Sequence, residues 1–250
     1  MNKSIGFFGD SFVASRWSNR PGETTFLELI FKHYNFERVT CVGVGGSSLE
    51  DCIILQLMPL FKIGSMPDVC IFSWTDIHRL FHRNLRGTLN GVETIKRALN
   101  KTTNLEEKNI LNAAKEYYLH LIDTEVNTYR AKALYEWVDN NVFSKLADKK
   151  IIHLWSFGIN PDISVFPYRW NNGAEIRPSL YEISKLCSFS DDWRINDEGQ
   201  RVDQRPNHIA YEYNQIPYNW ICTAIDNYKN GMLYDYTDQI NKMKEEKSCQ

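Results

Sequence analysis

The alternation of short apolar runs with helical patterns restricts the fold of this chain more than any other feature. Strand-like runs fall at Ile5–Phe8, Arg38–Val42 and Val69–Ser73, and helical patterns at Thr25–Tyr34 and Ser48–Phe61 separate them. Strands that alternate with helices pair in parallel through right-handed crossovers. The pattern therefore predicts an α/β fold, a three-layer α/β/α sandwich with a mostly parallel, doubly wound sheet.

A long segment of different character, residues 80–148, separates the third strand from a fourth that we predict at Ile151–Trp155. Within it, Leu105–Val142 is rich in Ala, Leu, Glu and Lys and contains no Gly or Pro, which predicts one long helix or two. We expect a helical insertion that is either a lengthened crossover or a lid or oligomer face. Residues 158–205 are rich in aromatic residues, Pro, Asn and Asp, which is typical of a functional loop region. The whole chain, 1–250, is predicted to be a single domain.

Composition narrows the classes of partner and compartment. A formal net charge of -2 without a basic run gives no support for nucleic-acid binding or a membrane surface. No apolar run approaches the roughly 20 residues that span a bilayer, and the first strand begins too soon for a signal peptide. The six cysteines form no CxxC pair and are expected to be buried thiols. The expected location is the cytoplasm, and the sequence predicts no cofactor and leaves the oligomeric state open.

Glycine and polar residues follow each of the first three predicted strands. Gly9-Asp10-Ser11 follows the first, a glycine-rich run over residues 42–48 the second, and Thr75-Asp76 the third. The run at 42–48 is not a dinucleotide fingerprint, because Ser48 stands where the third glycine should fall. Since the carboxyl ends of parallel strands meet at one edge of the sheet, we expect these residues to lie close together.

A histidine, His208, lies just before an amphipathic helix that runs through Ile225. Acyl transfer needs a nucleophile, a base that takes its proton and hydrogen-bond donors for the oxyanion. Ser11 is a candidate nucleophile, His208 is a candidate base, and the backbone amides of the glycine-rich run are candidate donors to the oxyanion. The spacing of the residues thus favours acyl-transfer chemistry at the sheet edge.

The order Gly9-Asp10-Ser11, Gly46, Thr75-Asp76 and His208 resembles the SGNH (GDSL-type) hydrolases. The resemblance spans nearly the whole chain but rests on four short blocks. It implies that Ser11 is the nucleophile and His208 the base, while the Ser11 and Gly46 amides and the Thr75 side chain form the oxyanion hole. It further implies that Asp10 and Asp76 support the site.

The chain departs from the family pattern at two positions. Thr75 replaces the oxyanion-hole asparagine, and its hydroxyl is shorter than an amide. Arg205 stands three residues before His208, where the family has an aspartate. Asp203 is the predicted acid, with Asp197 or a backbone carbonyl that orients the imidazole as alternatives.

The resemblance implies a serine esterase that acts on small acyl esters, with O-acetyl groups of carbohydrates as candidate substrates. Two alternatives remain: a non-catalytic binding or structural module with the same fold, and a carbohydrate O-acyltransferase that uses the same residues. His78 and His82, near Asp76, are spaced i, i+4, but a catalytic zinc needs three protein ligands. We therefore interpret this pair as one face of a helix and predict no metal. Three tryptophans could shape a pocket or fill the core, namely Trp155, Trp170 and Trp193.

Overall fold

The computed structural model describes residues 4–14, 24–157, 168–186, 194–195, 201–202, 209 and 213–248. Its centre is a six-stranded sheet in the order β2-β1-β3-β4-β5-β8, and every neighbouring pair in it is parallel. The strands are β1 (Ser4–Gly9), β2 (Arg38–Cys41), β3 (Val69–Trp74), β4 (Lys150–Trp155), β5 (Ala174–Arg177) and β8 (Leu233–Asp235). Two short strands, β6 (Arg194–Ile195) and β7 (Arg201–Val202), form a separate antiparallel pair.

Helices cover both faces of the sheet. They are α1 (Phe26–Tyr34), α2 (Leu49–Asp51), α3 (Met58–Lys62), α4 (Val92–Leu99), α5 (Leu105–His120), α6 (Thr124–Asn141), α7 (Leu180–Ser184), α8 (Gln215–Asp226) and α9 (Thr237–Ser248). The predicted α/β sandwich with a parallel, doubly wound sheet is confirmed, as are the helices inserted between β3 and β4. For Leu105–Val142 the sequence predicted one long helix or two, and the structure has two, α5 and α6, with a short turn between them.

Local sequence signals explain where the first helices begin. Thr25 caps α1 through a capping box, in which its hydroxyl accepts from the Glu28 amide and the Glu28 carboxylate accepts from the Thr25 amide. Ser48 caps α2 by accepting from the Asp51 amide at 3.2 Å. Both helices therefore begin close to the position that their hydroxyl residues predict.

The helix predicted over Ser48–Phe61 is not regular. Between α2 and α3 the chain forms a π-helical segment, Cys52–Leu57. Pro59, in the first turn of α3, has no amide hydrogen to donate four residues back, so the regular α-helical ladder cannot run through this point. The wider turn carries the polar side chain of Gln56 into the protein interior, where it is 1% exposed.

Two hydrophobic cores lie on opposite faces of the sheet. One is formed by α1, α7, α8 and α9 against alternate residues of β1, β3, β4 and β5. The other is formed by the α2–α3 segment and α6, and it contains a stacked aromatic group of Phe72, Trp74, His153 and Trp170. A smaller core holds α4 and α5 to the loop at residues 80–91. Within the described part of the chain, no helix is long and apolar enough to cross a membrane.

Candidate active site

Ser11 lies in a tight turn directly after β1, at the carboxyl edge of the sheet. The Val13 amide donates to the Asp10 carbonyl at 3.1 Å and closes this turn. Gly9 precedes the turn with a φ of 135°, and a side chain there would collide with the Ser73 carbonyl of β3. Glycine at this position therefore allows the strand to end close to β3, and it leaves Ser11 partly exposed.

The glycine-rich turn after β2 lies against the Ser11 turn. The Val44 amide and the Ser47 hydroxyl both donate to the Gly9 carbonyl, at 3.0 and 2.9 Å. A side-chain carbon placed on Gly45 would lie 3.7 Å from the Ser11 Cβ. Gly46 has a φ of 74°, and any side chain on it would collide with the Gly87 carbonyl. The structure thus brings together the Gly-Asp-Ser and glycine blocks that the sequence placed at neighbouring strand ends.

The Asp10 carboxylate is fully enclosed and accepts four hydrogen bonds. The Phe12 amide and the Ser156 hydroxyl donate to Oδ1, at 3.2 and 2.8 Å. The Thr75 hydroxyl and Nη1 of Arg79 donate to Oδ2, at 3.1 and 3.3 Å. Because Thr75 follows β3 and Ser156 follows β4, this carboxylate joins the ends of three neighbouring strands.

The Thr75 hydroxyl is buried between a donor and an acceptor. Arg79 can only donate, and its Nη1 lies 2.7 Å from Thr75 Oγ1. The single hydroxyl proton of Thr75 is therefore directed to Asp10, as the bond to Oδ2 shows. A role for Thr75 as an oxyanion donor stays a prediction, and it requires the hydroxyl to leave Asp10.

Arg79, which is 7% exposed, was not among the predicted site residues. The turn that brings it back over Thr75 is set by Asp76, whose carboxylate accepts from the His78 amide at 2.9 Å and whose carbonyl accepts from the Arg79 amide at 3.4 Å. The local sequence carries only the Asp76 turn, whereas the partners that hold Arg79 include residues far away in the chain, Asp10 and Ser47. The interpretation of His78 and His82 as one helix face is wrong, because residues 75–91 form turns and loops rather than a helix.

A second buried network holds the end of β1 from the other side. The Gly9 amide donates to Gln56 Oε1 at 2.7 Å, and Gln56 Nε2 donates to the Gly9 carbonyl at 3.0 Å and to Asp51 Oδ1 at 2.9 Å. Arg86 binds the Asp51 carboxylate through two hydrogen bonds, at 2.7 and 2.9 Å. The hydrogen bond to this carboxylate raises the pKa of Arg86. Arg86 thereby fixes the inserted loop that packs over the glycine-rich turn.

His208, Asp203 and Asp197 lie outside the described residues, so their predicted approach to Ser11 stays a prediction. Ile209, the neighbour of His208, is partly buried and packs against the core that α1, α7, α8 and α9 form with the sheet.

Two of the three singled-out tryptophans, Trp155 and Trp170, are core residues, and Trp193 lies outside the described part. No group of three or more His, Cys, Asp or Glu side chains among the described residues is arranged to hold a metal ion. Cys52, Cys70 and Cys222 are free thiols, and burial raises the pKa of the Cys52 and Cys70 thiols.

Comparison with known proteins gives distant structural similarities. No family model and no curated protein matches the chain. A crystal structure of the psychrotrophic esterase EstA from Pseudoalteromonas sp. is similar with a TM-score of 0.43 and 12% identity, over 90% of this chain and 100% of that one. A protein from Lactobacillus plantarum is similar with a TM-score of 0.32 and 10% identity, over 99% of this chain and 96% of that one. TM-scores of this size establish no activity, so the proposals below rest on the contacts of this chain.

Proposed function

We propose that this protein is a serine ester hydrolase in which Ser11 is the nucleophile. The observation that carries the proposal is the position of Ser11 in the turn after β1, directly beside the glycine-rich turn that contains Gly45 and Gly46. Ligands of parallel α/β sheets bind outside the carboxyl ends of the strands. Two adjacent turns with a serine and accessible glycine backbone are suited to hold a carbonyl group there.

The proposed reaction proceeds in two acyl transfers. Ser11 Oγ forms a bond to the ester carbonyl carbon as His208 accepts the hydroxyl proton, and the carbonyl oxygen takes the electron pair of its double bond. The oxyanion returns that pair, the ester C–O bond breaks, and the alcohol leaves with the proton from His208. Water then attacks the acyl-enzyme by the same steps and releases a carboxylic acid.

The remaining roles follow the family resemblance and the local contacts. The Ser11 and Gly46 amides are proposed to bind the oxyanion, with Thr75 as the third predicted donor. Asp203 is proposed to orient His208, with Asp197 or a backbone carbonyl as the alternative. Small acyl esters, including O-acetyl groups of carbohydrates, are the proposed substrates. A sugar hydroxyl in place of water would make the same residues an acyltransferase.

A serine-reactive fluorophosphonate tests this function. We expect the wild-type protein to be labelled and the label to map to Ser11 by mass spectrometry, because only an activated hydroxyl reacts. Labelling and hydrolysis of p-nitrophenyl acetate should both disappear in Ser11→Ala. The matched control is Ser65→Ala, which removes an exposed hydroxyl before the amino end of β3, at the opposite end of the strands from Ser11, and should behave like the wild type.

The second candidate is a binding or structural module with no catalysis. The observation that favours it is the Thr75 proton, which is directed to Asp10 and away from a bound carbonyl. An unlabelled Ser11 together with no hydrolysis of p-nitrophenyl esters of several chain lengths would support this candidate over the hydrolase.

A further inference from the structure

Among the described residues, only one of the three nitrogens of the Arg79 guanidinium, Nη1, donates hydrogen bonds. Nη1 donates to Asp10 Oδ2 at 3.3 Å, to the Ser47 carbonyl at 3.1 Å and to Thr75 Oγ1 at 2.7 Å. Among the described residues, no hydrogen bond uses Nε or Nη2 of Arg79. The side chain is nevertheless almost entirely buried, with a residue exposure of 7%. Within the described residues, the two atoms are not among the fully buried side-chain nitrogens that lack a partner, so this edge is the part of the buried arginine that a ligand can reach.

The position of this guanidinium relates it to the candidate active site. Asp10 directly precedes Ser11, and Ser47 directly follows Gly46, so Nη1 contacts the neighbours of both predicted backbone donors. The Phe157 ring lies 4.8 Å from the guanidinium carbon and covers one face of the group. The guanidinium that carries the unused edge, Nε and Nη2, therefore lies within the cluster of strand ends to which Ser11 belongs.

The chemistry of this edge selects an oxyanion. Nε and Nη2 present two nearly parallel N–H groups, a geometry that matches two oxygens of a carboxylate or of a tetrahedral oxyanion. The Asp10 carboxylate balances the charge of the guanidinium from the opposite side, which allows the cation to stay buried without a bound anion.

We propose that the Nε–Nη2 edge of Arg79 binds the oxyanion at this site, in the place of the asparagine that SGNH hydrolases have at the position of Thr75. When Ser11 Oγ bonds to the carbonyl carbon, the negative carbonyl oxygen is held by this edge and by the backbone amides. Arg79 stays protonated and transfers no proton. The same edge then holds the carboxylate product. The catalytic part rests on the proposed function, whereas the anion-binding part does not.

Binding of methylphosphonate, a stable tetrahedral oxyanion, tests the anion site by isothermal titration calorimetry. Wild type and Ser11→Ala should both bind it. Arg79→Lys keeps the positive charge beside Asp10 but lacks the two-donor edge, so we expect its affinity to fall by about tenfold or more. The matched control is Arg83→Gln, which removes an exposed arginine four residues later and should bind like the wild type. Equal affinity of Arg79→Lys and wild type, or no binding by the wild type, would overturn the proposal.

Kinetics with p-nitrophenyl acetate separate this inference from the proposed function. If Arg79 holds the oxyanion, kcat should fall by roughly 10²-fold in Arg79→Gln with KM little changed, because this contact strengthens mainly in the transition state. Thr75→Val should lose less than tenfold. A large loss in Thr75→Val with an unchanged Arg79→Gln would assign the role to Thr75 and overturn the inference. A wild type that binds methylphosphonate through Arg79 but hydrolyses no ester would refute the hydrolase and leave the anion site standing.

Discussion

Replacing Asp10 by asparagine tests whether this carboxylate holds the strand ends together. An amide of the same shape keeps one oxygen, which can still accept from the Phe12 amide and the Ser156 hydroxyl. Its NH₂ group then faces Arg79 Nη1, which can only donate, and the Thr75 hydroxyl, which must give up its bond to Oδ2 and turn its proton away. Arg79 also loses the carboxylate that balances its charge.

The burial of this ion pair sets the size of the effect. The Asp10 side chain is 0% exposed and that of Arg79 is 8% exposed, so water does not replace the lost partner. Removal of one partner from a buried pair costs about 3–5 kcal/mol. We expect Asp10→Asn to lower the free energy of unfolding by about that amount, as measured by urea denaturation with tryptophan fluorescence.

Two further variants make this measurement specific. Asp76→Asn is the matched control, because an asparagine oxygen can accept from the His78 amide as the aspartate does, and the expected loss is below about 0.5 kcal/mol. Adding Arg79→Met to Asp10→Asn removes the unpaired charge, so the double variant should lose less than the sum of the two single losses. A loss below about 1 kcal/mol in Asp10→Asn would refute the reasoning.

Three more outcomes are expected. Burial lowers the pKa of His153 to about 4, whereas the pKa of an unfolded histidine is about 6.5. The free energy of unfolding should therefore fall by about 3 kcal/mol as the pH drops from about 6.5 to about 4, because the unfolded chain binds the proton first. Urea titrations of His153→Gln at the same pH values should lack this fall. Arg86→Met removes two hydrogen bonds to the buried Asp51 carboxylate and should lower the free energy of unfolding by about 1–2 kcal/mol, which a lower Tm would show. An unchanged Tm would contradict the role of this pair. Thr75→Ser keeps the hydroxyl bond to Asp10 and should retain most of the turnover, so a large loss would point to the missing methyl group instead.

The parts of the fold that sequence predicted are those with strong local signals. The apolar runs of β1 to β4 and the caps of α1 and α2 are visible in short windows. β8 has three residues, none of them fully buried, so no apolar pattern marks it. β5 carries a buried carboxylate, Glu175, which accepts from Arg177 Nε and from Trp155 Nε1. These partners are brought together only in the folded chain, so the charged residues of β5 hide the strand from a reading of the sequence.

The candidate site likewise has features that local sequence predicts and features that it does not. The turns that carry Ser11 and Gly46 follow predicted strands, so their approach is a consequence of parallel pairing. Gln56 was not predicted because it stands in an apolar helical pattern, and only the π-helical segment turns it towards Gly9. Arg79 was not predicted because its role depends on contacts with three separate strand ends.

The bond between Ser156 and Asp10 joins residues 146 positions apart. Ser11, Gly46 and Thr75 follow the first three strands, yet the Asp10 carboxylate next to Ser11 accepts a hydrogen bond from the hydroxyl of Ser156, the residue after β4. During synthesis, the serine turn therefore remains incomplete until the inserted helices and the fourth strand have been made and docked. A chain that stops before β4 carries the Gly-Asp-Ser block but lacks one of the two Oδ1 donors to Asp10, which ties the geometry of the Ser11 turn to completion of the sheet.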